Sequence, residues 1–369
     1  MYDVPHLRFP EFGGEWRKYK LAEICSFFSG GTPSSSKKEY YDGNIPFIRS
    51  GELHMDKTEL FITEVGLDNS AAKIVDVGDL LLALYGATSG DIAISQIKGA
   101  INQAILCIRT TQNKKFIESV WKKHVEKLLQ TYLQGGQGNL SADIVKNISF
   151  YFAESNEQIK LAKFITLLDE RIATQNKIIE DLKKLKSVIS KSIFSLIEDG
   201  KSMLLGDVAH ISNGCGDVQD ADTIKREGWY PFFDRSEEQK WFPTYSIDKE
   251  AIIYAGEGQS FYPRYYKGKF ALHQRCYAIT DFSEILSPKY CYYFMGTLNS
   301  YFIRNAVGST VPSLRIDMFQ KVKLRIPSIK RQKDIVSMFD MLNMKCENET
   351  SIMVLFKEQK FHLLQQMFI

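Results

Sequence analysis

A window of basic and aromatic side chains in the second half of the chain carries the chemistry that stands out first. It reads "FYPRYYKGKFALHQR", residues 261–275, and contains no acidic residue. Lysine and arginine neutralise phosphates, whereas arginine and glutamine can pair with guanine and adenine edges. We interpret the window as a loop that contacts nucleic acid; the alternative is a solvated hairpin with aromatic pairs across its strands. The candidate DNA contacts here are Tyr262, Arg264, Tyr265, Lys267, Lys269, Gln274 and Arg275.

A weaker counterpart lies in the first half, in "SSSKKEYYDGNIPFIRS", where Glu39 and Asp42 dilute the positive charge. Two turns of small residues, "QGGQGNLS" and "VGSTVPSLR", offer backbone N–H groups that could hold a phosphate ahead of a helix start. Because glycine-rich turns are common, simple chain reversal is the alternative. The candidate contacts in these segments and in "AINQAILCI" are Lys37, Lys38, Tyr40, Arg49, Gln103, Gln137, Asn139, Ser313 and Arg315.

Sequence motifs of catalysis are missing. The chain has no phosphate loop, dinucleotide fingerprint or nucleophile elbow, no Asn-Pro-Pro-aromatic signature of an amino-methyltransferase, and no Cys/His spacing typical of zinc. Asp234, Glu238 and Lys240 in "DRSEEQK" look like a nuclease fragment, but solvated turn charges explain them better. We therefore expect a non-catalytic protein with no metal or cofactor of its own.

Composition indicates a globular protein of two or three domains. The chain has 369 residues, 44% of them hydrophobic and 25% charged, with a formal net charge of +3. That charge is too small to indicate a polyanion partner by itself, so any basic surface must be local. No apolar run is long enough to span a membrane and no signal-peptide pattern is present, so we expect a cytoplasmic protein with reduced cysteines.

A polar helix with a thin apolar seam is predicted near the middle of the chain. Apolar residues recur at alternating steps of three and four over positions 165–193, and Gln175 and Lys186 are the two polar breaks. This heptad rhythm over about four repeats is typical of a coiled-coil helix. About forty residues at about 1.5 Å each predict a rod about 60 Å long.

The same seam returns 174 residues later, over positions 339–367. Glu349 and Lys360 fall where Gln175 and Lys186 break the first seam. The chain is therefore predicted to be a tandem duplication, and so long a period means two large domains. We expect the two helices to pair antiparallel; the alternative is that each packs on its own module.

The start and end of the first long helix also carry signals. "SNEQ" predicts a capping box in which Ser155 caps the first turn and Gln158 reaches back to it. Gln158 falls on Gln332 in the repeat. Gly200 in "EDGK" suits the left-handed residue that follows a helix.

The regions ahead of the two helices are predicted to be mixed sheet modules, with β-like runs bounded by Gly, Asp or Asn turns. Their ends match better than their middles, which suggests two related binding tasks with different targets. The matched positions are Leu21 with Leu205, Gly30 with Gly214, Gln103 with Gln274, and Leu140 with Leu314. The predicted fold class is α+β, a tandem duplication of two mixed α/β modules separated by two long helices in an antiparallel coiled coil. The predicted domains are module 1 (residues 1–155), spacer helix 1 (156–199), module 2 (200–328) and spacer helix 2 (329–369).

The order module, long helix, module, long helix resembles the DNA-specificity subunit of type I restriction-modification systems over nearly the whole chain. "EFGGEWRKYKLAEICSFFSGGTP" near the start, "NEQIKLAKFITLLDERIATQNKIIEDLKKLK" in the first helix and "FHLLQQMF" in the second carry the resemblance. In the repeat, "SIKRQKDIVSMFDMLNMKCENE" keeps the pattern but has Lys330 and Arg331 where the family usually has an acidic pair.

The resemblance implies that each module is a target-recognition domain for one half of a bipartite double-stranded DNA sequence. The paired helices would set the number of unread base pairs between the halves. Two modification subunits would dock along helices and modules and methylate adenine with S-adenosylmethionine, and restriction subunits with a motor and nuclease would cut unmethylated DNA. The S-adenosylmethionine, ATP and Mg would all be bound by those partners.

Within this scheme the candidates divide into two roles. Expected at or beside base edges are Gln103, Gln274 and Arg275. Expected at phosphates are Lys37, Lys38, Arg264, Lys267 and Lys269. Two rival hypotheses remain: a scaffold that joins only proteins, without salt-dependent DNA binding, and a nuclease that uses Asp234, Glu238 and Lys240 and cuts DNA by itself with a metal.

Overall fold

The chain forms two compact units in this computed structural model, which describes residues 4–133, 139–308 and 310–369. Unit 1 comprises Met1–Gln175 and Ile352–Ile369, and unit 2 comprises Asn176–Ser351. Each of the two long helices therefore contributes one part to each unit.

Unit 1 contains two four-stranded sheets and one two-stranded sheet. Its strands are β1 (Arg17–Lys20), β2 (Cys25–Ser29), β3 (Tyr41–Ile48), β4 (Phe61–Ile62), β5 (Lys73–Val75), β6 (Leu80–Ala83), β7 (Ile92–Ile94), β8 (Gly99–Ile101), β9 (Ile105–Thr110) and β10 (Ser149–Phe152). Its helices are α1 (Leu21–Ile24), α2 (Glu64–Asp68), α3 (Lys114–Leu133), α4 (Ala142–Asn147) and the first part of α5 (Ser155–Leu196). The sheet orders are β2-β9-β6-β7, β4-β3-β8-β5 and β1-β10.

Unit 2 contains one six-stranded sheet and one two-stranded sheet. Its strands are β11 (Lys201–Leu204), β12 (His210–Asn213), β13 (Tyr230–Phe233), β14 (Lys240–Phe242), β15 (Ile247–Ala255), β16 (Arg264–Leu272), β17 (Cys276–Thr280) and β18 (Lys323–Ile326). Its helices are α6 (Leu205–Val208), α7 (Pro288–Met295), α8 (Asn299–Asn305), α9 (Ile316–Gln320) and the first part of α10 (Ile329–Met367). The sheet orders are β12-β17-β15-β16-β13-β14 and β11-β18.

The strand pairings confirm the predicted α+β tandem duplication. In unit 1, β9 lies between β2 and β6 in antiparallel pairings, and β17 lies likewise between β12 and β15 in unit 2. The parallel pair β3–β8 has its counterpart in β13–β16. The single strand β16 of unit 2 corresponds to two strands, β7 and β8, in unit 1. The middles of the two modules therefore share a topology, although their sequences no longer match.

Matched glycines mark the same close backbone approach in both units. A Cβ atom on Gly30 would lie 1.8 Å from the carbonyl oxygen of Ile101, and one on Gly214 would lie 2.1 Å from that of Leu272. No side chain fits at such distances, so only glycine is accommodated at either position. The matched leucines also have equivalent bonds: the Leu21 N–H donates to Ile148 O at 2.9 Å and the Leu205 N–H to Val322 O at 2.8 Å.

The apolar seams of the two long helices are buried by antiparallel pairing within each unit. In unit 1 the end of α10 packs against the start of α5, with Leu364 and Met367 in the same core cluster as Leu161 and Ile165. In unit 2 the end of α5 packs against the start of α10, where Phe194 stacks on the seam residue Phe339 with ring centroids 5.9 Å apart. The start of each helix also packs into the core of the module before it, so both expected kinds of packing occur.

Two broader observations concern membranes and thiols. Among the residues that the structure describes, no helix combines the length and apolarity needed to cross a bilayer. The six cysteines, all within the described ranges, are free thiols. Burial raises the pKa of the Cys276 thiol to about 11, so this thiol is protonated at neutral pH.

The capping box predicted at the start of α5 is wrong, because Gln158 is engaged elsewhere. Its side chain is 2% exposed. Its amide donates to Ala153 O and to Gln112 Oε1, both at 2.8 Å, and accepts from the Asn113 N–H at 3.1 Å. The helix itself begins at Ser155, with the Gln158 N–H bonded to Glu154 O at 2.9 Å. Gln158 thus clamps the end of the module to the start of α3.

Gln332 makes the same clamp in unit 2. Its side chain is 0% exposed. Its amide donates to Pro327 O at 2.9 Å and Ile285 O at 2.8 Å, and accepts from the Ser287 N–H at 2.8 Å. Ser287 is the residue before α7, as Asn113 is the residue before α3. One glutamine therefore joins three chain segments at the root of each long helix.

Replacing Gln332 by leucine should loosen unit 2 locally. The partly buried Ser287 N–H and two carbonyl oxygens would lose their partner, which costs about 1–3 kcal/mol. Hydrogen–deuterium exchange in residues 285–295 should then be about 5 to 150 times faster. Gln359→Leu, an exposed position on the same helix, is the matched control and should leave this exchange unchanged. Equal protection in both variants would contradict the clamp.

Candidate nucleic-acid interface

The basic and aromatic window of the second half is not a loop, contrary to the sequence interpretation. Arg264–Leu272 form β16, an interior strand that pairs with β15 on one side and β13 on the other. Successive side chains of a strand point to opposite faces. Tyr266 and Phe270 accordingly pack on Phe233 on one face, whereas Tyr265 packs on Tyr292 on the other. The window therefore presents two different surfaces.

Arg264 is expected at a phosphate, but its side chain forms hydrogen bonds with the loop that follows β13. Its guanidinium donates to the carbonyl oxygens of Asp234 and Ser236 and lies 5.6 Å from the ring centre of Phe233. The half-buried side chain thus has its donors directed at the protein. In this structure the guanidinium supports the neighbouring loop, and its contact with a phosphate stays a prediction.

Asp234, the acid of the nuclease hypothesis, is buried in an ion pair with Lys240 at 2.7 Å. Burial would raise its pKa, but hydrogen bonds from Lys240 and Ser236 outweigh burial and hold the pKa below its usual value. Glu238 is exposed. In the described ranges no group of three or more His, Cys, Asp or Glu side chains is arranged to hold a metal ion.

A cleft of about 570 Å³ opens beside this loop in unit 2. Gln274 and Arg275, on the turn between β16 and β17, are exposed on its wall. The side chain of Arg275 is 66% exposed, and its guanidinium pairs with Glu257 at 2.7 Å. The lining consists of Val218, Asp234, Arg235, Ser236, Lys240, Glu257, His273, Gln274, Arg275 and Cys276. Guanidinium, amide and carboxylate groups of this kind can pair with guanine, adenine and cytosine edges respectively.

Ser313 joins the same edge of unit 2. It forms a backbone bridge with Glu257, and the following Leu314 N–H donates to Gly256 O at 2.7 Å. The structure thus brings together Gln274, Arg275 and Ser313, which are distant in sequence. Arg315 is exposed directly ahead of the short helix α9.

Unit 1 has an equivalent edge around Gln103. This side chain is exposed on the turn between β8 and β9, accepts a hydrogen bond from Thr32 Oγ1 and bonds the hydroxyl of Tyr85. The Leu140 N–H donates to Leu84 O at 2.9 Å, as Leu314 does to Gly256 in unit 2. Asn139 is exposed next to Leu140. Gln137 lies outside the described residues.

The remaining candidates of unit 1 have local partners. Lys37 donates to the hydroxyl of Tyr40 at 2.8 Å, and the Tyr40 side chain is buried, which makes Tyr40 a core residue rather than a surface contact. Lys38 is exposed in the 3₁₀ turn between them. Arg49 pairs with Glu52 at 2.9 Å and with Glu59 at 2.8 Å.

The remaining candidates of unit 2 lie on or before β16. Lys267 is exposed and pairs with Glu250 at 3.7 Å, and Lys269 lies 4.6 Å from the ring centre of Tyr245. Tyr265 donates its hydroxyl to Glu250. Tyr262 is exposed, and its hydroxyl accepts a hydrogen bond from Asn299 Nδ2 at 3.3 Å. Tyr265, Lys267 and Lys269 alternate with Arg264 and therefore belong to the face opposite it.

Several residues of the two edges were not predicted. They are Thr32 and Tyr85 in unit 1 and Arg235, Glu257 and His273 in unit 2. A signal for two of them was available, because Tyr85 and Glu257 each follow the residue that accepts the equivalent leucine N–H bond. Aligning the strand ends "LLLALYG" and "AIIYAGEG" would have paired these positions.

The fold and its edges define a class of protein: two copies of one mixed α/β module, each followed by a long helix and each with a polar turn at the equivalent sheet edge. The family described as type I restriction modification DNA specificity domain matches residues 13–184 and 197–353. The chain belongs to this family, once in each half. The family membership confirms the resemblance given by the sequence.

Relatives and solved structures agree with this assignment. The EcoDI specificity subunit of Escherichia coli is 29% identical over 150 residues, 41% of this chain and 32% of that relative. The MjaVIII specificity subunit of Methanocaldococcus jannaschii is 25% identical over 194 residues, 51% of this chain and 43% of that relative. The matched part thus spans less than half the length of either relative.

Two solved structures share the fold. A specificity subunit from M. genitalium has a TM-score of 0.59 at 15% identity, with 99% of each chain covered. A chain solved in work on complex assembly and conformational transition of the type I R-M system has a TM-score of 0.65 at 14% identity, with 96% of this chain and 97% of that chain covered. At such low identity the likeness concerns the fold alone.

Glu52 gives unit 1 a testable dependence of stability on pH. Burial would raise its pKa, but hydrogen bonds from Arg49, Glu59 N–H and Thr58 lower the pKa from 4.5 to about 2. The ionised carboxylate therefore stabilises the folded state above pH 4.5, and this stabilisation is lost as the pH falls through about 2. Glu52→Gln should lower the free energy of unfolding by about 2–3 kcal/mol at pH 7.

Urea denaturation of the full chain at pH 7, 4 and 2.5 checks this expectation. The difference in the free energy of unfolding between wild type and Glu52→Gln should become smaller as the pH falls. Glu59 is the other acidic partner of Arg49, and the Glu59 side chain is 84% exposed. Glu59→Gln should therefore change the free energy of unfolding by less than about 1 kcal/mol. A gap that is independent of pH would show that the carboxylate charge is not responsible.

Proposed function

We propose that this chain is the sequence-specific DNA-binding subunit of a type I restriction-modification complex, and that each unit binds one half of a bipartite target. The observation that carries the proposal is the pair of equivalent sheet edges. Gln103 and Gln274 occupy the same exposed turn of a duplicated scaffold, yet their neighbours differ: Tyr85 and Thr32 in unit 1, Glu257 and Arg275 in unit 2. Equal scaffolds with different polar edges suit two half-sites of different sequence.

The partners follow from this role. Relatives are named specificity subunits of type I restriction enzymes, so we infer that two modification subunits and restriction subunits assemble with this chain in the cytoplasm. The modification subunits would supply S-adenosylmethionine and methylate adenine; the restriction subunits would supply ATP- and Mg-dependent cleavage. This chain would bind DNA and position those partners without reacting itself.

Salt dependence separates this proposal from the scaffold alternative. DNA binding through lysine and arginine releases counterions, so affinity should fall steeply as salt rises. A scaffold that joins only proteins has no such affinity. Binding of the full chain to a labelled duplex at several salt concentrations therefore decides between them.

Arg275→Ala should relax specificity at one position of one half-site. If the guanidinium leaves Glu257 to pair with a guanine, its loss should cost about 1–3 kcal/mol at that base and little elsewhere. Methylation mapping in cells with the cognate modification subunit measures this directly. Arg304→Ala, an exposed arginine on α8, is the matched control and should leave the motif unchanged. An equal loss on every sequence would mark Arg275 as a phosphate contact.

The long helices should act as the spacer of the bipartite target. Removing one helical turn from both α5 and α10 shortens each by about 5.4 Å, which should change the number of unread base pairs and leave each half-site intact. The same methylation map reports both quantities. Unchanged spacing in an assembled, active complex would exclude this role of the helices.

A further inference from the structure

Two lysines at equivalent seam positions have opposite surroundings. In unit 1, Lys360 and Lys115 both pair with Asp169, the latter at 2.7 Å. In unit 2, the residues at the 174-residue offset are Lys186, Lys289 and Asn343. The central carboxylate of the unit 1 cluster is thus an amide in unit 2. Lys186 therefore lacks the acid with which its counterpart pairs.

The Asp340 carboxylate of unit 2 interacts with groups other than Lys186. Asp340 pairs with Lys289 at 2.8 Å and accepts the Tyr293 hydroxyl at 2.5 Å, and Asn343 donates to that hydroxyl at 2.9 Å. Within the part of the chain that the structure describes, Lys186 forms no ion pair. A half-buried seam lysine without a carboxylate is unfavourable unless something else supplies the negative charge.

Lys186 faces a cavity of about 430 Å³ in unit 2. Lys183 and Lys191 lie on the same stripe of α5 and line it too, and none of the described residues that line it is acidic. The opposite wall includes Tyr262, Thr297 and Asn299. The Thr297 hydroxyl donates to Phe294 O at 2.7 Å, whereas the Tyr262 hydroxyl accepts from the Asn299 amide at 3.3 Å and keeps its own proton to donate. Three ammonium groups with polar side chains around them form an anion site by composition.

The duplication again provides an internal control. Tyr292, on the wall of the cavity, falls on Glu118 of unit 1. Glu118 pairs with Lys115 at 2.7 Å and with Lys122 at 2.5 Å. Unit 1 therefore has an acidic residue at the position where the wall of the unit 2 cavity has Tyr292.

The segment between β15 and β16 connects this cavity to the cleft described above. Glu257 lines the cleft and Tyr262 lines the cavity. A DNA strand held at the Arg275 edge could therefore continue past Tyr262 to the lysines. Hydroxyl, amide and ammonium donors that line one cavity suit the several oxygens of a phosphate group.

We propose that the cavity formed by Lys183, Lys186 and Lys191 with Tyr262, Thr297 and Asn299 binds a phosphate group, and that its source is the DNA strand that leaves the unit 2 half-site. The inference rests on the proposed DNA-binding function and adds to it a contact with the DNA backbone rather than with a base. Because a phosphate carries no sequence information, this contact strengthens binding to every sequence equally. A free nucleotide carries the same group, so the test separates the two sources.

The test compares full-length variants that lose equal charge. Lys183, Lys186 and Lys191 are replaced by glutamine in the cavity variant. The matched control replaces Lys163, Lys177 and Lys184, which are exposed on the same helix outside the cavity. Thermal melting verifies that all variants are folded. Affinity for a labelled duplex of about 40 base pairs is measured by fluorescence anisotropy over a range of salt concentrations, and ADP binding by calorimetry.

The cavity variant should lose about tenfold or more in affinity relative to the control, on every duplex, with a salt slope smaller by about 1 to 3. Asn343→Asp restores the carboxylate of unit 1 and should weaken DNA binding in the same way without removing any lysine. Asn343→Leu removes the same amide without adding charge and should bind like wild type.

Other outcomes overturn the inference in distinguishable ways. If the wild-type chain binds no duplex, the proposed function itself fails. If it binds, but cavity and control variants have the same affinity and salt slope, only the phosphate site fails. Tight ADP binding that duplex does not displace would reject DNA as the source. A cavity variant with full DNA affinity that no longer assembles with modification subunits would indicate an acidic protein segment instead.

Discussion

A buried glutamine amide at the root of each long helix is the constraint on which both units depend. Gln158 and Gln332 each join the end of a module, the segment before its packed helix and the first turn of a long helix. Because an amide carries both donor and acceptor groups, one side chain on the long helix pairs with backbone groups of two other segments. The direction of the helix relative to its own module is thereby fixed, and the seam that follows can pair.

The duplication repeats this clamp in both units. Differences between equivalent residues of the two units can therefore be interpreted in terms of function. Where the scaffold must be equal, the residues are equal: Gly30 and Gly214 lie too close to a carbonyl oxygen for any side chain. Elsewhere the charges of the two units differ. Asp169 closes a lysine cluster in unit 1, and Asn343 leaves the matching lysine of unit 2 open.

The polar edges follow the same logic. Backbone bonds from Leu140 and Leu314 hold equivalent loops beside Gln103 and Gln274, so the scaffold presents one turn in both units and varies what surrounds it. A rigid sheet edge limits the entropy lost on binding, and exposed side chains such as Arg275 can exchange an internal partner for an external one. Under the proposed function, this arrangement lets one fold bind two different half-sites.

The sequence by itself determined the helices, the duplication and the positions of the matched turns, because heptad spacing and repeat offset are local patterns that survive divergence. It did not determine the roles of Gln158, Arg264 or Arg49. Gln158 satisfies a capping motif by spacing, but Gln112 and Asn113 offer it buried partners from another part of the chain. Arg264 and Lys267 belong to one basic window, yet the pleat of β16 sends them to opposite faces. Which partner a polar side chain finds depends on long-range packing, and only the tertiary structure decides that.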